Sequence, residues 1–265
     1  MKILIATPAY GGQITTACCE SLIGLISHFR EKRPDIRFEH KFLSASLQHL
    51  MRNVYANMVM QDESYTHLLF VDADMGFAPS LIEHMIAADK PIVGAMSPAR
   101  QFHVEKLYEM RNEIADADVA RLVAIDYVSA SSLEFVDGTK RDGEPRPPTS
   151  LVVDGPCVRV RYAGTGILLI KREVFDRLKE RYPELCCVST EQSYGQFGLT
   201  GDILQCFQPM PNDEGVYDGE DMAFCRRWRE GCGGEIWAVV TETIVHVGTQ
   251  RFVGNYLTKL QHGRM

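Results

Sequence analysis

The sequence has no apolar run near the roughly 18 residues needed to cross a bilayer, no Cys-x-x-Cys pair and no internal repeat. The first absence predicts a chain without a membrane-crossing helix. Pro8, Gly11 and Gly12 interrupt the opening segment too soon for a secretory signal peptide, so a cytoplasmic protein is expected. The second argues against a thiolate zinc site. The eight cysteines, Cys18-Cys19 and Cys186-Cys187 included, are scattered through apolar segments, which reads as reduced core thiols rather than a disulfide framework. Positive charge is also short: 28 Lys and Arg against 35 Asp and Glu give a net charge of -7. That balance counts against a broad nucleic-acid footprint but is compatible with a local basic patch. What remains is an ordinary globular composition, 45% hydrophobic and 24% charged over 265 residues, expected to form one compact α/β domain with a long insertion.

Residues 2–7 read as a short buried strand broken by Pro8-Ala9-Tyr10-Gly11-Gly12. Helical spacing of Leu22, Leu25, Ile26 and Phe29 predicts a helix over 15–30, followed by a strand over 37–43. A helix over 46–61, a strand at 68–71, a helix over 79–88 started by Pro79, and a strand over 91–96 continue the alternation. Such a βαβαβαβ order implies a mixed, mainly parallel sheet flanked by helices on both faces. Ligands bind such sheets beyond the carboxyl ends of the strands, where Tyr10 and Asp72 lie. Regularity fails over 98–150, with Arg141 to Pro148 a loop by composition. A hairpin around Asp154-Gly155-Pro156, a strand over 167–170 and a helix over 172–182 follow. Residues 189–216, polar and rich in Gly, Gln and Pro, read as a mobile segment.

The candidate chemistry begins at Asp72-Ala73-Asp74. In an extended chain two aspartates at i and i+2 project to the same side, and their mutual repulsion calls for a cation; hard oxygen donors suit Mg²⁺ or Mn²⁺ bridging a diphosphate. The plainer alternative is a helix cap or an Asx-turn. Glu220 and Asp221 sit in the first turn of a helix predicted from the Phe224–Trp228 spacing and the stop at Gly231; one of them is a candidate general base, or both only compensate the helix dipole. His246, alternating with Val245 and Val247, is either a satisfied structural histidine or a third metal ligand. Arg52 and Asn53 follow an apolar helical face, where the guanidinium suits an anionic oxygen if it is not merely solvated. Gly164-Thr165-Gly166 reads as a point of close backbone approach to donor or acceptor.

Taken in order, Thr7-Pro8-Ala9-Tyr10, Arg52-Asn53, Asp72-Ala73-Asp74, Gly164-Thr165-Gly166, Gly219-Glu220-Asp221 and His246 resemble the GT-A glycosyltransferases, nearest to the family-2-like group. The resemblance implies a single Rossmann-like GT-A domain, with 1–97 as the nucleotide-binding half and 98–265, containing the 98–150 insertion, as the acceptor half. It implies that Thr7, Pro8 and Tyr10 hold the nucleoside, usually uridine. Asp72 and Asp74 would hold the sugar nucleotide and a Mn²⁺ or Mg²⁺ ion, with His246 completing the metal site, and Glu220 or Asp221 would serve as base in an inverting transfer from a UDP-sugar. The chain departs from the group's processive synthases, whose Gln-x-x-Arg-Trp glutamine falls at Phe224, so single-sugar transfer is expected. The acceptor is open among a glycan, a protein side chain and a modified nucleobase, the last disfavoured by acidity.

Three other readings compete. A haloacid-dehalogenase-type phosphatase expects Thr or Val where this chain has Gly76. A sugar-nucleotide nucleotidyltransferase expects a basic, Gly-rich loop after the first strand, which is missing. An inactive nucleotide-sugar-binding module leaves four carboxylates without a task.

Overall fold

The computed structural model describes residues 1–44, 46–135, 150–248 and 251–262. Strand β1 (Lys2–Pro8) is apolar throughout because both its faces are covered. Ile3 and Ile5 meet α1 (Thr16–Lys32), while Leu4 and Ala6 face the opposite layer. Thr15 caps α1 by accepting the Cys18 N–H, which sets the helix start one turn after the Gly11-Gly12 loop. The chain continues through β2 (Arg37–Leu43), α2 (Gln48–Gln61), β3 (His67–Val71), the short β4 (Met75–Gly76), α3 (Pro79–Ala88) and β5 (Ile92–Ala95).

The described part of the insertion is β6 (Pro98–Phe102), α4 (Val104–Met110), α5 (Ala117–Ala124) and β7 (Ile125–Tyr127), with β6 pairing β7. The 141–148 loop lies outside the described residues. The hairpin around Asp154-Gly155-Pro156 is β8 (Val153–Asp154) and β9 (Cys157–Val160), turned through Gly155 at φ 55°. Next come β10 (Ile167–Lys171), α6 (Arg172–Arg181), β11 (Cys186–Val188), β12 (Asp202–Leu204), β13 (Met210–Pro211) and β14 (Tyr217–Asp218). Helix α7 (Glu220–Arg226) runs into a π-helical turn over Arg227–Gly231 before β15 (Ile236–Val239), β16 (Thr243–Val247), β17 (Arg251–Asn255) and α8 (Tyr256–His262).

The central sheet has eight strands in the order β2-β1-β3-β10-β5-β15-β9-β8. Strands β1, β2, β3, β5, β15 and β8 share one direction; β10 and β9 oppose it. The fold is thus a mixed, Rossmann-like α/β arrangement, with α1 and α3 on one face and α2, α6 and α7 on the other. One detail differs from a simple βαβ progression: β10 slots between β3 and β5. Its run Ile167–Ile170 is uniformly apolar, so it satisfies a doubly covered central position, but such a run carries no mark of which neighbours it will pair with. Among the described residues no helix is long and apolar enough to cross a membrane.

The polar segment after α6 is pinned rather than loose. Asn53, Asn57 and Gln61 stand at i, i+4 and i+8 on α2, one amide per turn. Asn53 Oδ1 accepts from Phe207 N at 2.8 Å, and the Asn57 amide bonds both N and O of Leu204 at 2.9 Å. Gln61 spans the N and O of Thr200 at 3.2 and 2.6 Å. A backbone segment of low hydrophobicity is thus docked by reciprocal amide bonds, which composition does not reveal. The bonds at Asn57 are buried and those at Gln61 exposed. Asn57→Ala is therefore expected to lower unfolding free energy by about 2–4 kcal/mol, since it strands two buried backbone groups, and Gln61→Ala by less than about 1 kcal/mol. Urea unfolding of both variants checks the order.

Candidate active site

Strand β3 ends at Val71 and the chain turns at once, with Met75 N donating to Asp72 O at 3.1 Å. Asp72-Ala73-Asp74 is therefore a turn and not a continued strand, and the shared orientation expected of its two carboxylates does not arise. Asp72 faces α2, where Arg52 Nη2 donates to its two oxygens at 3.1 and 3.3 Å. Asp74 faces β16 and β6, where its Oδ2 lies 3.4 Å from His246 Nε2 and 3.1 Å from Arg100 Nη1. The set Asp72, Asp74 and His246 is thus split: the last two meet, and Asp72 is committed to Arg52. Among the described residues no three His, Cys, Asp or Glu side chains gather as an ion-holding group.

The turn is held on three sides. Ala73 O accepts from Thr15 N at 2.8 Å and from Thr15 Oγ1 at 3.2 Å, Asp72 N donates to Gly166 O at 2.8 Å, and Val247 N donates to Asp74 O at 2.8 Å. Ala73 and the Gly164-Thr165-Gly166 loop therefore act through their backbones. At Gly164 a Cβ would come within 2.9 Å of Val128, so that position admits no side chain without rearrangement.

Arg52 is 1% exposed, lies 5.1 Å from the Phe70 ring centre, and also reaches Glu220 Oε1 with Nε at 3.5 Å. Its Nη1 is buried with no protein partner, an uncommon state for a guanidinium donor and one that a ligand oxygen would relieve. Arg52, Asp72, Gly164, Glu220, Asp221 and His246 all line one cleft of about 210 Å³. Asn53, by contrast, is fully buried and spends its amide on Gln205 and Phe207.

The electrostatics separate the acids. Burial raises the Asp72 carboxyl above its usual range, with Arg52 opposing. Burial, and then the neighbouring Glu220 charge, raise Asp221 as well, and its Oδ1 accepts from Met222 N at 2.8 Å. Asp74 is lowered: burial pushes it up, but His246 and Arg100 together outweigh that. Burial disfavours the His246 imidazolium, and the Asp74 carboxylate with the Pro98 carbonyl reverses it, for a net rise.

Residues 98, 246 and 74 also test whether a cation fits. His246 Nδ1 lies 2.8 Å from Pro98 O, an atom that only accepts, so Nδ1 carries the proton of the neutral ring and Nε2 turns its lone pair toward Asp74. A lone pair facing a carboxylate is repulsive unless a proton or a metal ion lies between them. One nitrogen and one carboxylate, with the ring held by a backbone carbonyl, make a two-donor pair, and among the described residues no third His, Cys, Asp or Glu side chain joins them.

At the far end of β1, Thr7 is buried with Oγ1 3.0 Å from His40 Nε2, and its carbonyl accepts from Tyr55 Oη at 3.0 Å. Pro8 is partly buried and Ala9 is buried, its N–H on Leu43 O at 2.9 Å, while Tyr10 stands 77% exposed. Of Thr7-Pro8-Ala9-Tyr10, the side chain free to meet a ligand is thus Tyr10. Arg100 escaped sequence reasoning because it sits in the irregular stretch after β5, and the contact that distinguishes it is made across the fold.

No protein-family model and no curated protein matches the chain. Among solved structures it is similar to A197 from STIV, at 12% identity over 96% of this chain and 95% of that one, with a TM-score of 0.45. It is also similar to GalNAc-T7 crystallised with UDP, GalNAc and Mn²⁺, at 11% identity over 93% of this chain and 43% of that one, with a TM-score of 0.42. A third similarity, at 11% identity and a TM-score of 0.30 over 74% of this chain and 77% of the other, is to a Bacillus anthracis protein assigned as a glucose-1-phosphate thymidylyltransferase. At such scores the chemistry is read from the site itself.

Because Arg52 is buried between two carboxylates, removing it leaves both unpaired. Arg52→Met is expected to destabilise the fold by about 3–5 kcal/mol, and Asp72→Asn in that background to recover part of the loss. Thermal unfolding of the two single variants and the double variant measures this coupling.

Proposed function

We propose that the chain is a metal-dependent glycosyltransferase of the GT-A type, which transfers one sugar from a nucleotide-sugar, with a UDP-sugar as donor, to an acceptor hydroxyl with inversion. The observation that carries this reading is the arrangement of charge: His246, paired with Asp74, lines one part of the cleft, and Arg52 with its unpartnered Nη1 lines it together with Asp221. Asp74 and His246 would hold Mn²⁺ or Mg²⁺, which would supply positive charge against a diphosphate leaving group. Tyr10 offers an aromatic face to the base, and Thr7, Pro8 and Ala9 set the loop that presents it. Asp72 holds Arg52 at the cleft wall, and Gly164 leaves room there for the Val128 side chain.

Asp221 is the base. Its carboxyl binds a proton more readily than an ordinary aspartate, which suits it to take one from a hydroxyl. Glu220, tied to Arg52, raises that affinity and positions the guanidinium. As the acceptor oxygen bonds to the anomeric carbon, the bond from that carbon to the β-phosphate oxygen breaks. Its electron pair leaves with the nucleoside diphosphate, and the hydroxyl proton passes to Asp221. A single displacement inverts the anomeric centre. Geometry also counts against the phosphatase reading, since both oxygens of Asp72, the residue that reading takes as nucleophile, accept from Arg52.

Release of UDP from a panel of UDP-sugars, with acceptors or water, tests the reaction. Asp221→Asn is expected to lower turnover about 10²–10⁴-fold with UDP affinity kept; unchanged turnover contradicts the assignment. Turnover requires ionised Asp221, so it falls as pH drops through a value above the usual aspartate range of about 3.9. Glu220→Gln removes the adjacent negative charge and should move that acidic limb to lower pH.

A further inference from the structure

We infer that Arg100 is an exchangeable counter-charge. It neutralises Asp74 before substrate binds, and it passes to the phosphates of a nucleoside diphosphate when a divalent cation takes up Asp74 and His246. The inference rests on the reading of the cleft as a nucleotide-sugar site.

Three observations lead to it. Asp74 Oδ2 is shared by Arg100 Nη1 at 3.1 Å and His246 Nε2 at 3.4 Å, so the guanidinium already occupies the face of the carboxylate that a metal ion shared with His246 would use. A guanidinium and a divalent ion on one carboxylate oxygen repel each other, and one must yield. His246 cannot yield by turning, because Nδ1 is fixed on Pro98 O at 2.8 Å.

Arg100 can. Its side chain is 54% exposed, against 2% for Arg52, which is locked between Asp72 and Glu220. Its backbone stays at the site in either position, since Arg100 lies on β6 two residues beyond Pro98, the residue that orients His246. A displaced guanidinium therefore remains tethered near Asp74 and His246, within reach of phosphates that a cation held there would attract. Guanidinium forks match phosphate oxygens, and the transfer exchanges one anionic partner for another. Arg100 is in this sense a positioning residue for the leaving group, with a second task in neutralising Asp74.

Two affinities therefore move in opposite directions. Without nucleotide, Arg100→Gln removes a competitor and should tighten Mn²⁺ binding about two- to fivefold, the scale of a half-exposed ion pair. At saturating Mn²⁺ the same variant should bind UDP about fivefold more weakly, having lost a charge-assisted contact. Arg100→Lys, which keeps the charge without the fork, should fall between wild type and Arg100→Gln on both measures.

Electron paramagnetic resonance of free Mn²⁺ reads the first affinity, and quenching of protein fluorescence by UDP reads the second. Opposite shifts support the exchange. Arg100→Gln with Mn²⁺ affinity unchanged or weakened, or with UDP affinity unchanged, overturns it while leaving the nucleotide-sugar reading standing. Wild type that binds UDP neither with nor without Mn²⁺ removes both.

Discussion

A single buried guanidinium ties the cleft together. Arg52 rises from α2, crosses the Phe70 ring, and meets Asp72 at the end of β3 and Glu220 at the start of α7, two carboxylates separated by most of the chain. A charge so deeply placed survives only when it is paired and hydrogen-bonded, so the three elements must arrive together or not at all. Asp221, one residue on, is carried to its position by the same constraint. Sheet order supports it: β10 runs antiparallel between β3 and β5 and delivers Gly166, whose carbonyl fixes Asp72 N.

Around that centre the turn at Asp72-Ala73-Asp74 divides the work. One carboxylate goes to the protein's own cation and the other to the opening, where His246 and Arg100 meet it. Hydrogen bonds from the Thr15 and Val247 N–H groups to the turn, and from the Asp72 N–H to the Gly166 carbonyl, leave the turn little freedom, so the direction of each aspartate is decided by backbone held from α1, the 164–166 loop and β16. Arg52 is buried and paired on one side of the turn, while Arg100 is half-exposed beside Asp74 on the other.

Much of the fold was legible in the sequence for identifiable reasons. Strands covered on both faces read as short apolar runs, helices carried a 3.6-residue stripe, and Thr15, Pro79 and Gly155 marked starts and turns. What was not legible depends on partners distant in the chain. The place of β10 in the sheet follows from pairing, and an apolar run such as Ile167–Ile170 fits any central position. The split of Asp72 from Asp74 follows from the Met75–Asp72 bond and the β4–β16 pairing, neither of which local pattern encodes. Asn53 stood in sequence beside Arg52 and shared its candidacy, but helical geometry sends adjacent residues 100° apart, and it points to the 205–207 segment instead. Arg100 carried no motif at all.

We propose that the protein binds a nucleoside diphosphate through a cation at Asp74 and His246. Calorimetric titration of UDP into wild-type protein and Asp74→Ala, in Mn²⁺ and in EDTA and with GDP as comparator, tests it most directly. UDP is expected to bind in Mn²⁺, with binding lost in EDTA and in Asp74→Ala and with GDP weaker. Absence of binding by either nucleotide under every condition contradicts it.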